Sequence, residues 1–171
     1  MSISAMIKAM YANVGRSGVL GMNVARATAA DAVGPTNIFT IAGGYVQVTA
    51  LFGVVTILRA GALATTIFNH SVGPTPLCVA TPTIASPVGT IIALTGNVLD
   101  PAVISVPVAG VSNPVQGTMM GSQNPGNPTQ QIGMIMGTGT ITVTISVVTA
   151  GATRYFLSYV PLDIGASVVA A

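Results

Sequence analysis

Charged side chains are scarce in this chain. Its 171 residues include five Lys or Arg, three Asp and no Glu. An ordinary soluble domain is about one-quarter charged, and a small monomer of this length cannot bury enough of its surface to do without that solvation. With a mean hydropathy of +0.78, the composition favours one of two surroundings, a lipid bilayer or a permanent protein assembly in which buried ions would be costly.

The hydrophobic runs do not suit a membrane helix, which needs roughly twenty mostly apolar residues. The best uncharged run, residues 41–58, contains Gly43, Gly44, Gln47 and Gly53 and is rich in β-branched residues, which favour strands. Trp is absent and only four Tyr are present, so interfacial aromatic belts are lacking. We therefore expect no membrane partner, and protein neighbours remain as the surroundings.

Catalytic groups are few as well. His70 and Cys78 are the only His and Cys, and without Glu an acid–base pair would have to bring together two of Asp31, Asp100 and Asp163. Asp100 and Asp163 precede or follow Pro in turn-like sequences, and Asp163 is interpreted as either a turn residue or a partner for Arg154. One His and one Cys are too few for a zinc site. We expect no enzyme activity, no metal and no cofactor.

The basic residues are too few and too scattered for a nucleic-acid surface, since phosphate binding needs clustered Lys and Arg. Three of the five, Lys8, Arg16 and Arg26, nevertheless fall near the N-terminus. We predict that they contact an acidic protein partner. Solubility of a flexible tail is the alternative interpretation. Direct nucleic-acid binding is not expected.

Two regions differ in pattern. Residues 1–36 show no period-2 alternation and end at Gly34-Pro35, a turn signal, so they are interpreted as an extended N-terminal arm. Residues 37–171 contain short strand-like runs separated by Gly, Pro and Asn at about ten-residue spacing, which is typical of all-β sandwiches and barrels. The predicted fold is all-β, a β-sandwich or jelly-roll-like barrel with an extended arm.

The clearest strand spans residues 140–148. Ile141, Val143, Ile145 and Val147 alternate with Thr and Ser, which places aliphatic residues on one face and hydroxyl groups on the other. Because an uncharged hydroxyl face invites pairing with other chains, we predict an oligomer or sheet-face contact there. A hairpin after residues 150–152 is expected to bring the next strand back across the same sheet. The predicted contact residues are Thr140, Thr142, Thr144, Tyr155 and Tyr159.

Residues 117–131 have the Gly, Pro and Asn content of a long irregular loop. Such a loop is either an interaction loop or a flexible tip. The predicted contact residues within it are Met119, Met120 and Asn124, with the Met side chains supplying adaptable surface.

Three segments carry a resemblance to known proteins: residues 18–30 (GVLGMNVARATAA), residues 39–56 (FTIAGGYVQVTALFGVVT) and residues 138–171. They resemble small structural proteins of tailed bacteriophages, which occur among head decoration (cement) and related virion proteins. The strongest piece is RYFLSYVPLD at residues 154–163, followed by Gly165 and Ala166. Residues 61–131 match poorly.

The resemblance implies a β-rich virion subunit, assembled in the host cytoplasm, that attaches to the outer capsid surface as a homo-oligomer, with a trimer favoured over a dimer. Its implied partner is the major capsid protein, clamped by the N-terminal arm. Two alternatives remain open: a tail, connector or head-fibre component, and a receptor- or glycan-binding module that would use the loop at residues 117–131.

Overall fold

The computed structural model describes residues 21–60, 64–72, 75–83, 85–96, 98–106, 133–147 and 150–171. Regular structure in these ranges is entirely β, which confirms the predicted fold class. The strands are β1 (Met22–Ala25), β2 (Ala29–Ala30), β3 (Gly34–Ala42), β4 (Val46–Ala60), β5 (Thr65–His70), β6 (Thr75–Pro76), β7 (Thr81–Pro82), β8 (Ile91–Ala93), β9 (Val103–Ser105), β10 (Met134–Met136), β11 (Gly139–Ile145), β12 (Ala150–Pro161) and β13 (Ser167–Ala170).

The strands form two antiparallel sheets. Sheet I has the order β1-β12-β4-β8-β9, with β2 also paired to β12 and β10 also paired to β4. Sheet II has the order β13-β3-β11-β5-β6, with β7 also paired to β5. The long strands β4 and β12 lie side by side in the middle of sheet I. The arrangement is consistent with the predicted β-sandwich.

The hydrophobic core lies between the two sheets. Alternate residues of each strand point inward, because successive side chains of a strand point to opposite faces. The rings of Phe68 in sheet II and Tyr155 in sheet I meet edge to face, with centroids 6.1 Å apart, a geometry favoured by aromatic quadrupoles. The larger core residues include Phe39, Ile41, Leu51, Val55, Phe68, Ile92, Ile141, Tyr155, Leu157 and Tyr159.

Strand β11 follows its sequence pattern closely. Ile141, Val143 and Ile145 are buried in the core, and the intervening Thr residues are half-buried on the opposite face. The strand ends at Ile145, however, and Val147 is 45 % exposed. The predicted strand, residues 140–148, therefore runs past the observed end at Ile145, and residue 148 lies outside the described residues.

The predicted hairpin between β11 and β12 is wrong. Strand β11 pairs with β3 on one side and β5 on the other, so it has no free edge for β12. Instead β12 belongs to sheet I, where it pairs with β4 and β1. Residues 150–152, interpreted as a turn, form the start of β12. The chain thus crosses from one sheet to the other between these strands.

The predicted boundary between arm and body at residues 36 and 37 differs from the structure, because it falls inside β3. Strands β1 and β2 also pair with β12 of sheet I. The turn signal at Gly34-Pro35 marks the beginning of β3, where Pro35 lies opposite Thr144. Strands β1 and β2 and the start of β3 therefore belong to the sheets, and residues 1–20 of the predicted arm, with Lys8 and Arg16, lie outside the described residues.

The described part of the chain contains no helix of the length and apolar character needed to cross a membrane.

Candidate functional site

The outer face of sheet II carries the predicted Thr residues. Thr142 lies opposite Asn37 on β3 and Asn69 on β5, and Thr140 lies opposite Thr40. Because directly opposed residues share a face, these side chains form one surface. We call this surface the hydroxyl face, defined by Asn37, Thr40, Thr65, Asn69, Thr140, Thr142, Thr144 and Ser146.

Short polar side chains of the hydroxyl face hydrogen-bond to one another. The Asn69 Nδ2 donates to Thr144 Oγ1 at 3.2 Å. The Thr65 hydroxyl donates to Ser146 Oγ at 3.0 Å, and the Thr65 amide donates to the same oxygen at 2.9 Å. No residue in the strands of sheet II is Asp, Glu, Lys or Arg. The face therefore carries no charge, and its hydroxyl and amide groups lie beside the apolar side chains of Ile67, opposite Thr144, and Val169, opposite Thr40.

The two Tyr residues predicted to make contacts do not lie on an outer surface. Tyr155 and Tyr159 are each 2 % exposed and belong to the core. They occupy the inward positions of β12, and the outward ones are Arg154, Phe156 and Ser158. The prediction of contact roles for Tyr155 and Tyr159 is therefore wrong, because the interior of the same chain already surrounds both rings.

Sequence reasoning missed a buried ion pair. Arg59 near the end of β4 is 0 % exposed, and its Nε donates to Asp31 Oδ2 at 2.9 Å, with the Asp31 side chain 3 % exposed. In the sequence, Arg59 follows an apolar run and Asp31 lies in a segment interpreted as an arm. A basic residue directly after strand-like residues was the available signal, but its partner is distant in sequence.

The Arg59 guanidinium also connects the two sheets. Its Nη1 donates to Thr66 Oγ1 on β5 of sheet II at 2.8 Å, and its Nη2 donates to Thr153 Oγ1 on β12 of sheet I at 2.9 Å. Thr153 in turn donates to Asp31 Oδ2 at 3.2 Å, and Thr66 shares a hydrogen bond with Thr83. A buried charge is tolerated when it is paired and hydrogen-bonded in this way.

Tyr155 lies beside this network. Burial raises the pKa of its phenol, an effect that the nearby Arg59 cation opposes and the Asp31 carboxylate reinforces. Its hydroxyl oxygen is buried without a hydrogen-bond partner of good geometry in the described residues. An unsatisfied buried hydroxyl destabilises the fold.

Three other charged groups, those of Arg26, Asp163 and Arg154, interact with backbone and rings. The Arg26 Nε donates to the Ala171 carbonyl at 2.8 Å, and Asp163 Oδ2 accepts a hydrogen bond from the Tyr45 amide at 2.7 Å. The Arg154 guanidinium lies 5.0 Å from the centroid of the Phe156 ring. Of the two interpretations of Asp163, the turn residue is correct, and Arg154 is not its partner.

The side chains of Cys78 and His70 are the ones with nucleophilic or metal-binding capacity that the sequence analysis named. Cys78 is buried, and desolvation raises the pKa of its thiol, which disfavours the reactive thiolate. His70 is buried, with its Nε2 unpartnered. No three His, Cys, Asp or Glu side chains among the described residues come together as metal ligands. The loop residues Met119, Met120 and Asn124 lie outside the described residues.

No family model, curated protein or solved structure matches this chain. The candidate site therefore depends on the geometry of the chain itself.

Replacing Arg59 by Met should lower the free energy of unfolding by about 3–5 kcal/mol, because Asp31 is left buried without a counter-charge. The double variant Arg59→Met/Asp31→Leu removes both charges and should recover most of that loss. Urea denaturation of the wild type and the two variants measures the difference. A double variant less stable than the single one would contradict this account of the ion pair.

Replacing Tyr155 by Phe should raise the free energy of unfolding at neutral pH by about 1 kcal/mol, because it removes an unsatisfied hydroxyl. In the wild type the raised phenol pKa means that deprotonation is harder in the folded state, so stability is constant at lower pH and falls as the pH rises above the ordinary tyrosine value. That alkaline loss should be smaller in the variant. Denaturation curves between neutral and strongly alkaline pH test both effects, and a less stable variant at neutral pH would contradict them.

Proposed function

We propose that this chain is a virion structural protein, a decoration (cement) subunit on the outer capsid surface of a tailed bacteriophage. The subunit associates with copies of itself, as a trimer in preference to a dimer, and binds the major capsid protein through its N-terminal residues. The proposal rests on the sequence resemblance and on the surface chemistry of the described residues. It includes no catalytic step and no cofactor.

The observation that carries the proposal is the uncharged hydroxyl face of sheet II. Natural proteins protect exposed sheet surfaces and edges with charged residues, above all Lys, because unguarded strands associate. Here no strand of sheet II supplies one. Thr and Asn side chains can exchange water for hydrogen bonds across an interface at far lower cost than ions can. The face is thus suited to permanent contact with another polypeptide.

The buried ion pair makes the surface poorer still in charge. Arg59 and Asp31 are both withdrawn from solvent, so two of the few ionisable residues do not solvate the exterior. A protein that buries charged residues has fewer of them to solvate its exterior. It therefore depends more strongly on neighbouring proteins to cover that exterior. This dependence suits a subunit that functions only within an assembly.

The three basic residues predicted to contact the shell do not have equal roles in the proposal. Arg26 is half-buried and donates to the Ala171 carbonyl, so it is engaged within the body of the subunit. Lys8 and Arg16 precede β1 in the sequence, and the proposal assigns the shell contact to them. Multiple weak contacts per oligomer add through effective concentration, so a shell can be reinforced without a single strong anchor.

Replacing Thr142 by Lys should weaken self-association, because a charge at the centre of the hydroxyl face would have to be desolvated. Val88→Lys, at a 57 % exposed turn position outside this face, adds the same charge as a matched control. Sedimentation velocity over a range of concentrations should show a shift toward monomer for Thr142→Lys only. A wild type that is monomeric at high concentration, or equal behaviour of both variants, would count against the proposal.

A second measurement addresses the location in the virion. In purified particles of the phage that encodes the chain, we expect a copy number comparable with that of the major capsid protein. Deleting residues 1–20, which leaves β1 intact, should abolish particle binding and leave the oligomer unchanged. A copy number of a few per particle would favour the tail or connector alternative, and unchanged binding of the truncated chain would exclude the assigned role of Lys8 and Arg16.

A further inference from the structure

One end of the sandwich presents a cluster of exposed apolar residues. The turn between β3 and β4 carries Tyr45, the turn between β12 and β13 carries Leu162 and Ile164, and Ile135 on β10 lies opposite Gln47, near the start of β4. Their exposed fractions are 57 % for Tyr45, 60 % for Ile135, 48 % for Leu162 and 105 % for Ile164. We call this cluster the tip. Full exposure of a large aliphatic side chain at a turn is a feature of interaction surfaces when it is part of such a cluster.

Hydrogen bonds hold the two turns of the tip together. The Tyr45 amide donates to Asp163 Oδ2 at 2.7 Å, and the Tyr45 carbonyl accepts from the amides of Leu162 and Asp163 at 3.0 and 3.3 Å. Gly43 has a φ of +76°, and a Cβ there would lie 2.4 Å from the Gly165 carbonyl oxygen. The close approach of the turns thus requires glycine at residue 43. The tip is therefore preorganised, which reduces the entropy lost on binding.

The charge of the tip favours a protein surface over lipid headgroups as its partner. Its two turns and β10 contain Asp163 and no Lys or Arg. An anionic, cation-free apolar surface is poorly suited to lipid headgroups, which attract basic residues. A protein surface with an apolar area and a neighbouring cation is the complementary partner.

The outer face of sheet I offers such a surface. The rings of Phe52 and Phe156 stack with centroids 5.1 Å apart, and the guanidinium of Arg154 lies over Phe156. Val54 lies directly opposite both Arg154 on β12 and Ile91 on β8. We call the area formed by Phe52, Val54, Ile91, Arg154 and Phe156 the aromatic face. Arg154 is exposed, whereas Arg59, the other charged residue of the strands that form this face, is buried.

Arg154 and Asp163 cannot meet within one subunit. Arg154 lies seven residues before the end of β12 and Asp163 lies in the turn beyond that end, so that, at about 3.3 Å per residue, about 23 Å of extended strand separates them. The Arg154 guanidinium and the Asp163 carboxylate can therefore form an ion pair only between two copies of the chain. The apolar side chains of the tip can likewise pack against the aromatic face only of another copy, because the two surfaces lie at different places on sheet I.

We propose that the tip of one copy docks on the aromatic face of a second copy. Ile164 packs against Phe52 and Val54 of the second copy, and the Asp163 carboxylate lies beside its Arg154. The two surfaces differ, so the contact is heterologous, and repeated copies form a closed ring or an open chain. A closed ring of three is consistent with the favoured trimer. The inference deepens the proposed function and rests on it for the premise that copies of this chain associate.

Disulfide trapping tests the contact. Two full-length variants, Ile164→Cys and Val54→Cys, are oxidised separately and as a mixture, each retaining the buried Cys78. The mixture should give a covalent dimer, and neither variant alone should do so, because like positions do not meet in a heterologous contact. The wild type, with Cys78 alone, reports any background. Since Ile164 is fully exposed, its replacement is not expected to affect folding.

Charge variants add a second readout. Arg154→Glu in the Val54→Cys chain should lower the yield of the covalent dimer several-fold, and Arg154→Lys should retain it, because only the former reverses the charge that faces Asp163. Circular dichroism confirms that each variant is folded. Equal yields for Arg154→Glu and Arg154→Lys would overturn the assigned ion pair.

Sedimentation separates the two levels of the proposal. If the wild type is oligomeric and the mixture gives no covalent dimer, the docking of the tip is wrong and the proposed function stands. If the wild type is monomeric at all concentrations, the proposed function itself fails. A covalent dimer formed by Ile164→Cys alone would overturn the heterologous contact and indicate a tip-to-tip arrangement.

Discussion

The buried Arg59–Asp31 pair is the interaction on which the arrangement of this molecule depends most. The guanidinium binds an oxygen from each sheet and the carboxylate of the segment that precedes β3. Hydrophobic packing alone is tolerant of small shifts between sheets, whereas a desolvated ion must keep its partners. The pair therefore constrains how sheet I, sheet II and the N-terminal strands sit relative to one another.

The same pair influences the exterior. A chain with so few ionisable residues that buries two of them leaves large areas of strand surface without charge. The hydroxyl face of sheet II is one such area, rich in Thr and Asn. The aromatic face of sheet I differs in chemistry, because it consists of rings and a single cation, Arg154. A subunit with two dissimilar surfaces that are poor in charge suits an extended assembly better than a single isologous dimer.

The period-2 pattern predicted the fold class and the inward residues of β11, because side-chain direction in a strand depends only on position along the chain. The pattern gave wrong predictions for features that depend on which strand is the neighbour in the sheet. Tyr155 and Tyr159 alternate as expected, but their pattern does not say which face is inward. The hairpin between β11 and β12 failed for a related reason, since both edges of β11 are filled by strands distant in sequence.

The sequence by itself determined that the chain is all-β and poor in charge, since strand periodicity and composition are local and additive properties. Only the tertiary structure decided where the few charges go. The partners Asp31 and Arg59 are joined by the folding of β2 against β12 and of β4 between β12 and β8, whereas Arg154 and Asp163, much closer in sequence, are held apart by the extended strand between them. Contact between residues distant in sequence depends on strand order, and no local pattern of residues encodes that order.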